Sequence, residues 1–556
     1  MPLNAGYVNF NVTDKTGEEY EKELTEELVR NFDQLKGDRG TLDSHCEEIA
    51  SRILPMHKNL FQGSLAMGSQ GDKRNQEILD STGVIALQRF GAILDSLLTP
   101  RNSFWHHLTT DNPILKKDKN TMDWFQTVTS ILFQERYSPK ANFSAQNQNV
   151  YKSLGAYGTG ALFIDDLAGE KGLRYRNCHL SEIYLQENHQ GMVDRVCRHF
   201  MLTARQALQM FGDKCPDAIK SKAKDTPESP YFFLHWVLPR MDRDPQRKDF
   251  KGMQYASYYI SLEGKTLLAE GGYNTFPYAI SRYEQSPGEA YGRSPAMDVL
   301  PAIKTLNKQK ELVLKQGQLA VDPVILLADD GIMDGASIES GTHISGAVSA
   351  DGRPLLQILP SGRVDIGKDL MDDERQLIND TFLVTLFQIL VETPEMTAVE
   401  VAERTREKGI LLAPTVGRQQ SEYLGPCVDR ELDILSRQGR LPPMPPVLLD
   451  AEGEYTIMYD SPITRTQKAE WVAGAMRSIE QALNLAAQTG DPSYLDYYNW
   501  HEIIPRSSEI QGTPSTWMNG ADAVAQIRAA RAKQQQTQQM IDAMPAAAGI
   551  MKATKK

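Results

Sequence analysis

The sequence predicts an α+β fold, in which a mainly helical N-terminal part is followed by a strand-rich part and then by further helices. Apolar residues recur at helical spacing through residues 18–154, whereas β-branched and aromatic residues alternate between turn residues through 158–284. Helical periodicity then returns in two helices separated by a long segment of Gly, Pro and short β-prone pieces. At 556 residues the chain exceeds the ~250–300 at which one hydrophobic core stops growing, so several domains or one elongated subunit are expected.

The N-terminal part is predicted to form five helices. In the first, residues 18–36, apolar side chains lie four residues apart, and Gly37 ends the helix. Ser44 and Glu47 have the spacing of a capping box, which predicts a second helix that stops before Pro55. The remaining three helices are predicted over residues 75–98, 123–136 and 145–154.

The middle part is predicted to form an antiparallel sheet. Its segments are rich in β-branched and aromatic residues and are bounded by Gly, Asn and Pro turns. One helix, Thr203–Phe211, is expected to interrupt the sheet. The predicted strands lie within residues 158–166, 173–200, 231–239, 255–273 and 276–284.

The two later helices are the most informative part of the chain. The first runs from about Ser294 to Ala320 and has an apolar stripe at alternating steps of three and four residues. The stripe consists of Val299, Ile303, Leu306, Val313, Gly317 and Ala320. At ~100° per residue, Lys304, Lys308 and Lys315 fall on the opposite face. A solvated helix face is the plainer interpretation of these lysines, and Glu311 lies at the edge of their row.

The second helix is predicted from about Asp372 to Val391, and its residues 382–391 are apolar on every side. A helix of this kind must be covered all round. The apolar run is too short to cross a bilayer, which needs ~20 residues, so protein must cover it. We therefore expect this helix pair to pack side by side with the same pair in neighbouring copies of the chain.

The C-terminal part is predicted to be helical with breaks. Residues 397–438 read as a helix that is kinked or split near Pro414 and Gly417, and residues 441–450 read as a Pro-rich hinge. Further helices are expected over residues 466–488 and 521–544. Residues 1–17 and 545–556 are expected to lack regular structure.

The net charge of −12 argues against tight binding of duplex DNA over a broad surface, because that affinity comes mainly from phosphate neutralisation by Lys and Arg. It leaves open that DNA passes through the protein without being held. The five cysteines show no paired spacing, which is typical of reduced thiols. We expect no secretory signal and no membrane-spanning segment.

No motif in the sequence predicts an active site, a metal site or a cofactor. Residues 63–73 resemble a phosphate loop but lack its Gly-Lys-Ser/Thr ending, and Gly158-Thr159-Gly160 is better explained as a tight turn. His106 and His107 are adjacent and cannot both face one metal, so interface or solvent roles are favoured. The acidic pairs at 165–166, 329–330 and 372–373 mark the ends of elements, and the last suits a helix N-terminus.

Several segments, in a fixed order, resemble one known protein family. They include ILDSTGVIALQRFGAILDSLLTP (78–100), LGAYGTGALFIDD (154–166), GMVDRVCRHFMLTARQALQMFG (191–212) and YGRSPAMDVLPAIKTLNKQ (291–309). The region 396–426, LDILSRQGRLPPMPP (432–446) and VAQIRAARAKQQQTQQ (524–539) complete the set. In these segments the chain resembles the head-to-tail connector, or portal, proteins of short-tailed, T7-like bacteriophages.

The resemblance implies a portal fold and a ring, usually of twelve copies, at one vertex of the capsid, with double-stranded DNA passing through its centre. The implied domains are a wing (1–292 and 398–445), a two-helix stem (293–321 and 370–391), a clip (322–369), a tunnel loop (392–397) and a crown (446–544). The implied partners are the terminase large subunit, tail adaptor and nozzle proteins, and the capsid and scaffold proteins. Assembly in the host cytoplasm and a place in the virion are implied as well.

The resemblance also implies candidate functional residues. Lys304, Lys308 and Lys315 of the stem would face the channel. The tunnel loop would consist of Glu392, Thr393, Pro394, Glu395 and Met396, and Asp329, Asp330, Asp334 and Arg353 of the clip would dock the terminase and then the tail adaptor. Two other hypotheses remain open from the sequence: a shell or scaffolding protein of the phage head, and an enzyme of the packaging pathway such as a terminase.

Overall fold

A computed structural model describes most of the chain. The described residues are 17–61, 71, 73–167, 170–322, 325–327, 348, 351–354, 356–358, 365–385, 414–451, 453–460, 462–500, 503–504, 507–508, 519 and 523–535. The chain divides into two compact units, one formed by residues 1–96, 139–396 and 412–434 and the other by residues 97–138, 397–411 and 435–556. The mixture of long helices and antiparallel strands confirms the predicted α+β class.

The helices alternate with the strands along the chain. The labelled α-helices are α1 (Gly17–Asp38), α2 (Gly40–Ile53), α3 (Thr82–Leu98), α4 (Pro113–Lys117), α5 (Lys119–Arg136), α6 (Phe143–Tyr157), α7 (Ala204–Phe211), α8 (Asp217–Asp225), α9 (Pro295–Val321), α10 (Asp365–Thr381), α11 (Gly425–Arg437), α12 (Pro446–Asp450) and α13 (Pro462–Thr489). Residues 523–535 are helical as well.

The strands pair only in antiparallel fashion among the described residues. They are β1 (His106–Thr109), β2 (Thr159–Asp166), β3 (Leu173–Cys178), β4 (Ile183–Glu187), β5 (Val193–Thr203), β6 (Pro230–Pro239), β7 (Tyr255–Ser261), β8 (Thr266–Tyr273), β9 (Tyr278–Arg282), β10 (Glu284–Gln285), β11 (Gly292–Arg293), β12 (Ile325–Leu327), β13 (Leu356–Ile358) and β14 (Thr456–Tyr459).

The first unit is built on two sheets, of strand order β4-β5-β6-β7-β8 and β3-β2-β9. The predicted antiparallel sheet is therefore confirmed, but it is divided in two. Helix α1 covers one face of the five-stranded sheet, where Leu28 and Phe32 pack with Trp236. The other face packs on the three-stranded sheet, with Val237 and Ile280 in one apolar cluster. Burial on both sides makes these strands the core of the unit.

Several predicted helix starts are wrong, and each has a local cause. Helix α2 begins at Gly40, and Ser44 donates a hydrogen bond to the Gly40 carbonyl instead of capping the helix. Helix α3 begins at Thr82 rather than near 75, because turns occupy the segment before it. Helix α10 spans Asp365–Thr381, so the pair Asp372-Asp373 lies inside the helix and not at its N-terminus. The helix also ends before the apolar run 382–391 that was predicted to belong to it, since Leu383 has φ of +62°, and residues 386–391 lie outside the described part of the chain.

Residues 414–437 are continuously helical, but the winding changes at Gln419–Leu424, which is a π-helical segment. The chain stays helical at Gly417, where a kink or split was predicted, and the residues immediately before Pro414 lie outside the described part of the chain. Pro426 explains the position of the π-helical segment, because in an α-helix the proline ring would clash with the carbonyl four residues earlier. Wider winding removes that clash, and π segments typically occur as single turns of this kind.

The second unit contains a two-stranded ribbon, β1 with β14, which the sequence analysis did not predict. Helix α5 covers the ribbon, and the Thr129 hydroxyl accepts a hydrogen bond from the Leu108 backbone N–H at 3.2 Å. The predicted Pro-rich hinge contains the short helix α12. The described helices include none that is long and apolar enough to cross a membrane.

Candidate functional site

Helix α9 is the centre of the candidate site, and its N-terminus is fixed in the first unit. The Ser294 hydroxyl caps the helix by accepting from the Met297 N–H at 3.1 Å, and it donates to the Ala156 carbonyl at 2.9 Å. Gly158, with φ of +72°, ends helix α6 and lies against Gly292, just before α9. The predicted tight turn at Gly158 is thus confirmed, and it holds the start of α9 against the three-stranded sheet.

The N-terminal half of α9, which we call upper α9, is buried along one stripe as predicted. Val299, Ile303 and Leu306 are all below one tenth exposed. The buried Asn307 then joins the helix to the segment before α3, since its amide oxygen accepts from the backbone N–H groups of Leu79 and Asp80 at 3.0 and 3.1 Å. Sequence reasoning missed this contact, because the partners lie more than two hundred residues apart.

Asp80 also fixes helix α10. Its carboxylate accepts from the Arg375 guanidinium at 2.7 Å and from the backbone and hydroxyl of Thr82. Burial by itself would raise the pKa of Asp80, but the hydrogen bonds from Thr82 and Arg375 outweigh it and the pKa is lowered. We call Asp80, Asn307 and Arg375 the helix clamp, because together they attach α9 and α10 to one segment of the unit.

The C-terminal half of α9, residues 308–321, packs on α10 by one side only. We call this half lower α9. The packing is close, since a Cβ built on Gly367 of α10 would lie 2.7 Å from the Val313 side chain. On the side opposite Val313, Glu311 binds Lys308 at 2.8 Å and Lys315 at 2.6 Å. The hydrogen bonds from these two lysines lower the pKa of Glu311 to about 2.

The predicted lysine row is therefore present on one face, but it is paired. Lys304 lies higher on the helix and binds Glu48 of α2 at 2.7 Å. The sequence analysis noted Glu311 only as an interruption of the row. Its spacing, three residues after Lys308 and four before Lys315, was the signal that predicts such pairs.

The two flanks of lower α9 expose apolar side chains. Flank A consists of Leu312 and Leu319, and flank B consists of Leu314 and Val321. At ~100° per residue the two flanks lie on opposite sides of the helix, each roughly at a right angle to the direction of Val313. On α10, Leu370 and Leu377 are about half exposed too. Apolar surface of this extent on a helix pair is typical of a protein interface.

Most of the other predicted site residues lie outside the described part of the chain. These are Asp329, Asp330 and Asp334 of the predicted clip, and Glu392, Thr393, Pro394, Glu395 and Met396 of the predicted tunnel loop. Residues 1–16, 386–413 and 545–556 lie outside it too. Arg353 is described and exposed, next to the bridge between Val348 and Pro354, in the segment that also contains the β12–β13 pair.

The adjacent histidines have structural roles in the second unit. His106 is fully buried and lies 3.0 Å from the guanidinium of Arg136, so the solvent or interface role predicted for it is wrong. Burial, with a smaller contribution from Arg136, keeps its pKa well below the usual value. His107 binds Asp460 at 3.0 Å. Within the described ranges, no three His, Cys, Asp or Glu side chains are grouped so as to hold a metal ion.

Comparison with known proteins gives one family over most of the chain. Residues 25–518 match the family described as bacteriophage head to tail connecting protein. Among curated relatives, the chain is 28% identical over 530 residues to the "Probable portal protein" of Bordetella phage BPP-1, covering 92% of both chains. It is also 28% identical over 539 residues to the "Portal protein" of Salmonella phage epsilon15, covering 94% of both.

Among solved structures, the chain matches one from the neck of an empty GTA particle computed with C6 symmetry. The TM-score is 0.36 and the identity 10%, over 77% of this chain and 90% of the other, and a score this low supports no conclusion. The family match is sufficient by itself, and it confirms the resemblance found in the sequence. Since the match extends over residues 25–518, the chain belongs to the family of bacteriophage head to tail connecting proteins.

Proposed function

We propose that the chain is a portal protein, which forms a ring at one vertex of the phage head and conducts double-stranded DNA during packaging and ejection. The family and the names of the two relatives support this proposal. The observation that carries it is the pair of apolar flanks on α9. A helix with one apolar flank can be covered by a dimer, but two different flanks on opposite sides require a neighbour on each side.

Contact between flank A of one copy and flank B of the next is a heterologous contact. Contacts of this type generate a closed ring when the rotation between copies closes, and a filament when it does not. Three of the four flank side chains are about half exposed and Val321 is 88% exposed, and covering them stabilises each contact by about 1 kcal/mol per side chain. In such a ring α10 lies on one side of α9 and the lysine face on the other, and we assign the lysine face to the channel.

The dimensions of α9 are suitable for a channel wall. Its 27 residues give a length of about 40 Å at 1.5 Å per residue, enough to line about one turn of duplex. A moving polymer must not be held firmly, and each neutralised phosphate would increase binding. An acidic chain with few and paired lysines meets that requirement.

The remaining parts follow the domain plan of the resemblance. We assign the wing to residues 1–292 and 398–445, the stem to α9 and α10 with the residues up to 391, the clip to the segment between the two helices, the tunnel loop to 392–397 and the crown to 446–544. The protein acts without catalysis of its own: a separate packaging ATPase docks on the clip and supplies the chemical work, and tail adaptor and nozzle proteins bind there afterwards. The ring contains twelve copies of the chain. It is assembled in the host cytoplasm with the scaffold and capsid proteins.

Charge placed on one flank tests the ring directly. We expect Leu314→Asp with Val321→Asp, on flank B, to prevent ring formation, and Leu312→Asp with Leu319→Asp, on flank A, to do the same. Each would place two buried carboxylates in the contact. Native mass spectrometry and negative-stain images measure the number of copies. Mixing the two variants is expected to give dimers and no rings, because each variant keeps one intact flank.

Gln318→Asp is the matched control. This residue is exposed on the charged side of the same helix, so the variant is expected to form rings of wild-type size. Circular dichroism checks that all variants are folded. Rings from both flank variants would contradict the proposed contact, and closed cages from the wild type would favour a shell protein instead.

The lysine face is tested separately. We expect Lys308→Glu with Lys315→Glu to reduce DNA packaging or retention in particles while rings still assemble, since the new charges repel phosphate. The measurement is the packaged DNA per particle, with ring size as the control. Lys304 is left unchanged because a glutamate there would face Glu48. Failure of assembly would place these lysines in the contact between subunits.

A further inference from the structure

We propose that Glu311 limits how strongly the assembled ring binds DNA, because it binds both channel lysines of its own helix. The proposal rests on the proposed function, since it takes the lysine face to line a DNA channel. It gives a specific role to a residue that otherwise only interrupts the lysine row.

The geometry shows one carboxylate shared between two ammonium groups. Oε2 of Glu311 binds Lys308 and Oε1 binds Lys315, so each oxygen has its own cation. The spacings of three and four residues place all three side chains on one face of α9. Both lysines are about two thirds exposed, so solvent and a passing phosphate can reach them.

The charges around Glu311 then partly cancel on each subunit. Lys308 and Lys315 carry two positive charges and Glu311 carries one negative charge, which leaves one net positive charge (two minus one). Exposed ion pairs are individually weak and do not lock a side chain in place. The compensation of charge does not depend on a fixed geometry, however, because the carboxylate stays within the Debye length of ~8 Å of both ammonium groups.

A phosphate that approaches the wall must compete with this carboxylate. Binding of duplex DNA gains its affinity from counterion release, and log K falls with log salt by about 0.9 for every phosphate that is neutralised. Glu311 therefore lowers the number of phosphates that each subunit neutralises. Because the two lysines lower the pKa of Glu311 to about 2, the carboxylate is ionised and provides this compensation at neutral pH.

The test uses assembled rings of wild type and of Glu311→Gln, with a fluorescent duplex of about three helical turns. Binding is measured by anisotropy over a series of NaCl concentrations. We expect Glu311→Gln to bind roughly tenfold more tightly at low salt, with a salt dependence steeper by about 0.9 for each additional phosphate contact. Adding Lys315→Gln to Glu311→Gln is expected to remove most of the gain.

Asp322→Asn is the matched control for charge. It removes one negative charge at the exposed end of the same helix, and no lysine ion pair is recorded for Asp322 in the described structure. This control is expected to bind DNA as wild type does, and Glu311→Asp, which keeps the charge, should do so too.

Three outcomes would overturn the proposal. One is equal affinity and equal salt dependence in Glu311→Gln and wild-type rings. A second is an equal gain in Asp322→Asn, which would make the effect one of net charge alone. The third is loss of rings in Glu311→Gln, which would place Glu311 in the subunit contact. Absence of rings in the wild type, seen by native mass spectrometry, would instead contradict the proposed function itself.

Discussion

Replacing Gly158 by alanine is expected to prevent stable folding of the first unit. Two independent costs combine at this position. The backbone has φ of +72°, which costs an L-residue about 1–2 kcal/mol. The new Cβ would also overlap with the Gly292 carbonyl oxygen, and neither backbone segment can move without displacing the start of α9. We expect a total of about 4 kcal/mol or more.

Two other glycines separate these costs. Gly191 has φ of +78° and no described atom within 4 Å of a built Cβ, so Gly191→Ala isolates the backbone cost. Gly292 has an ordinary φ, but a Cβ there would overlap with the Gly158 carbonyl oxygen, so Gly292→Ala isolates the steric cost. Thermal melting and soluble yield are the measurements. A melting temperature of Gly158→Ala no lower than that of Gly191→Ala would contradict the expected steric cost.

Removing the carboxylate of the helix clamp is expected to release α10 from the rest of the unit. The Asp80 side chain is 7% exposed and Arg375 is 31% exposed, so Asp80→Ala leaves a partly buried guanidinium without its main partner. Loss of one member of a buried charged pair costs about 3 kcal/mol, which corresponds to a roughly hundredfold increase in local opening. Hydrogen exchange of the α10 amides measures that opening.

Asp372→Asn is the control for the clamp. Asp372 binds the same arginine at 2.7 Å but is 68% exposed, and exposed pairs contribute at most about 1 kcal/mol. Its exchange rates should remain close to those of the wild type. Equal effects of the two substitutions would show that burial at Asp80 contributes nothing.

The clamp also predicts the direction of a pH effect. The pKa of Asp80 in the folded protein is below its ordinary value of 3.8, so the folded state favours the ionised form. The contribution of the ionised Asp80 carboxylate to the stability of the folded state is therefore complete above a pH of about 3.8. It is lost as the pH falls through the pKa of Asp80 in the folded protein. The difference in α10 exchange between wild type and Asp80→Ala should narrow in this acidic range and stay constant at neutral pH.

The sequence by itself determined the local elements and the family. The stripe through Val299, Ile303 and Leu306 correctly predicted a long helix with one buried side, because helical periodicity depends only on residues three or four positions apart. The strand-rich middle was recognised for a similar reason, since alternation is a local pattern. The ordered segments were sufficient for the resemblance that the family match confirms.

Only the tertiary structure decided which distant groups meet. The hydrogen bonds from Leu79 and Asp80 to Asn307, the ion pair of Asp80 with Arg375, and the pairing of β1 with β14 join residues that are far apart in the chain, where no periodicity can report the contact. The start of α10 was misplaced for a local reason instead, since Asp372 binds Arg375 within the helix and does not cap it. Which face of a helix is buried follows from its sequence, but the partner that covers that face follows from the packing of the whole chain.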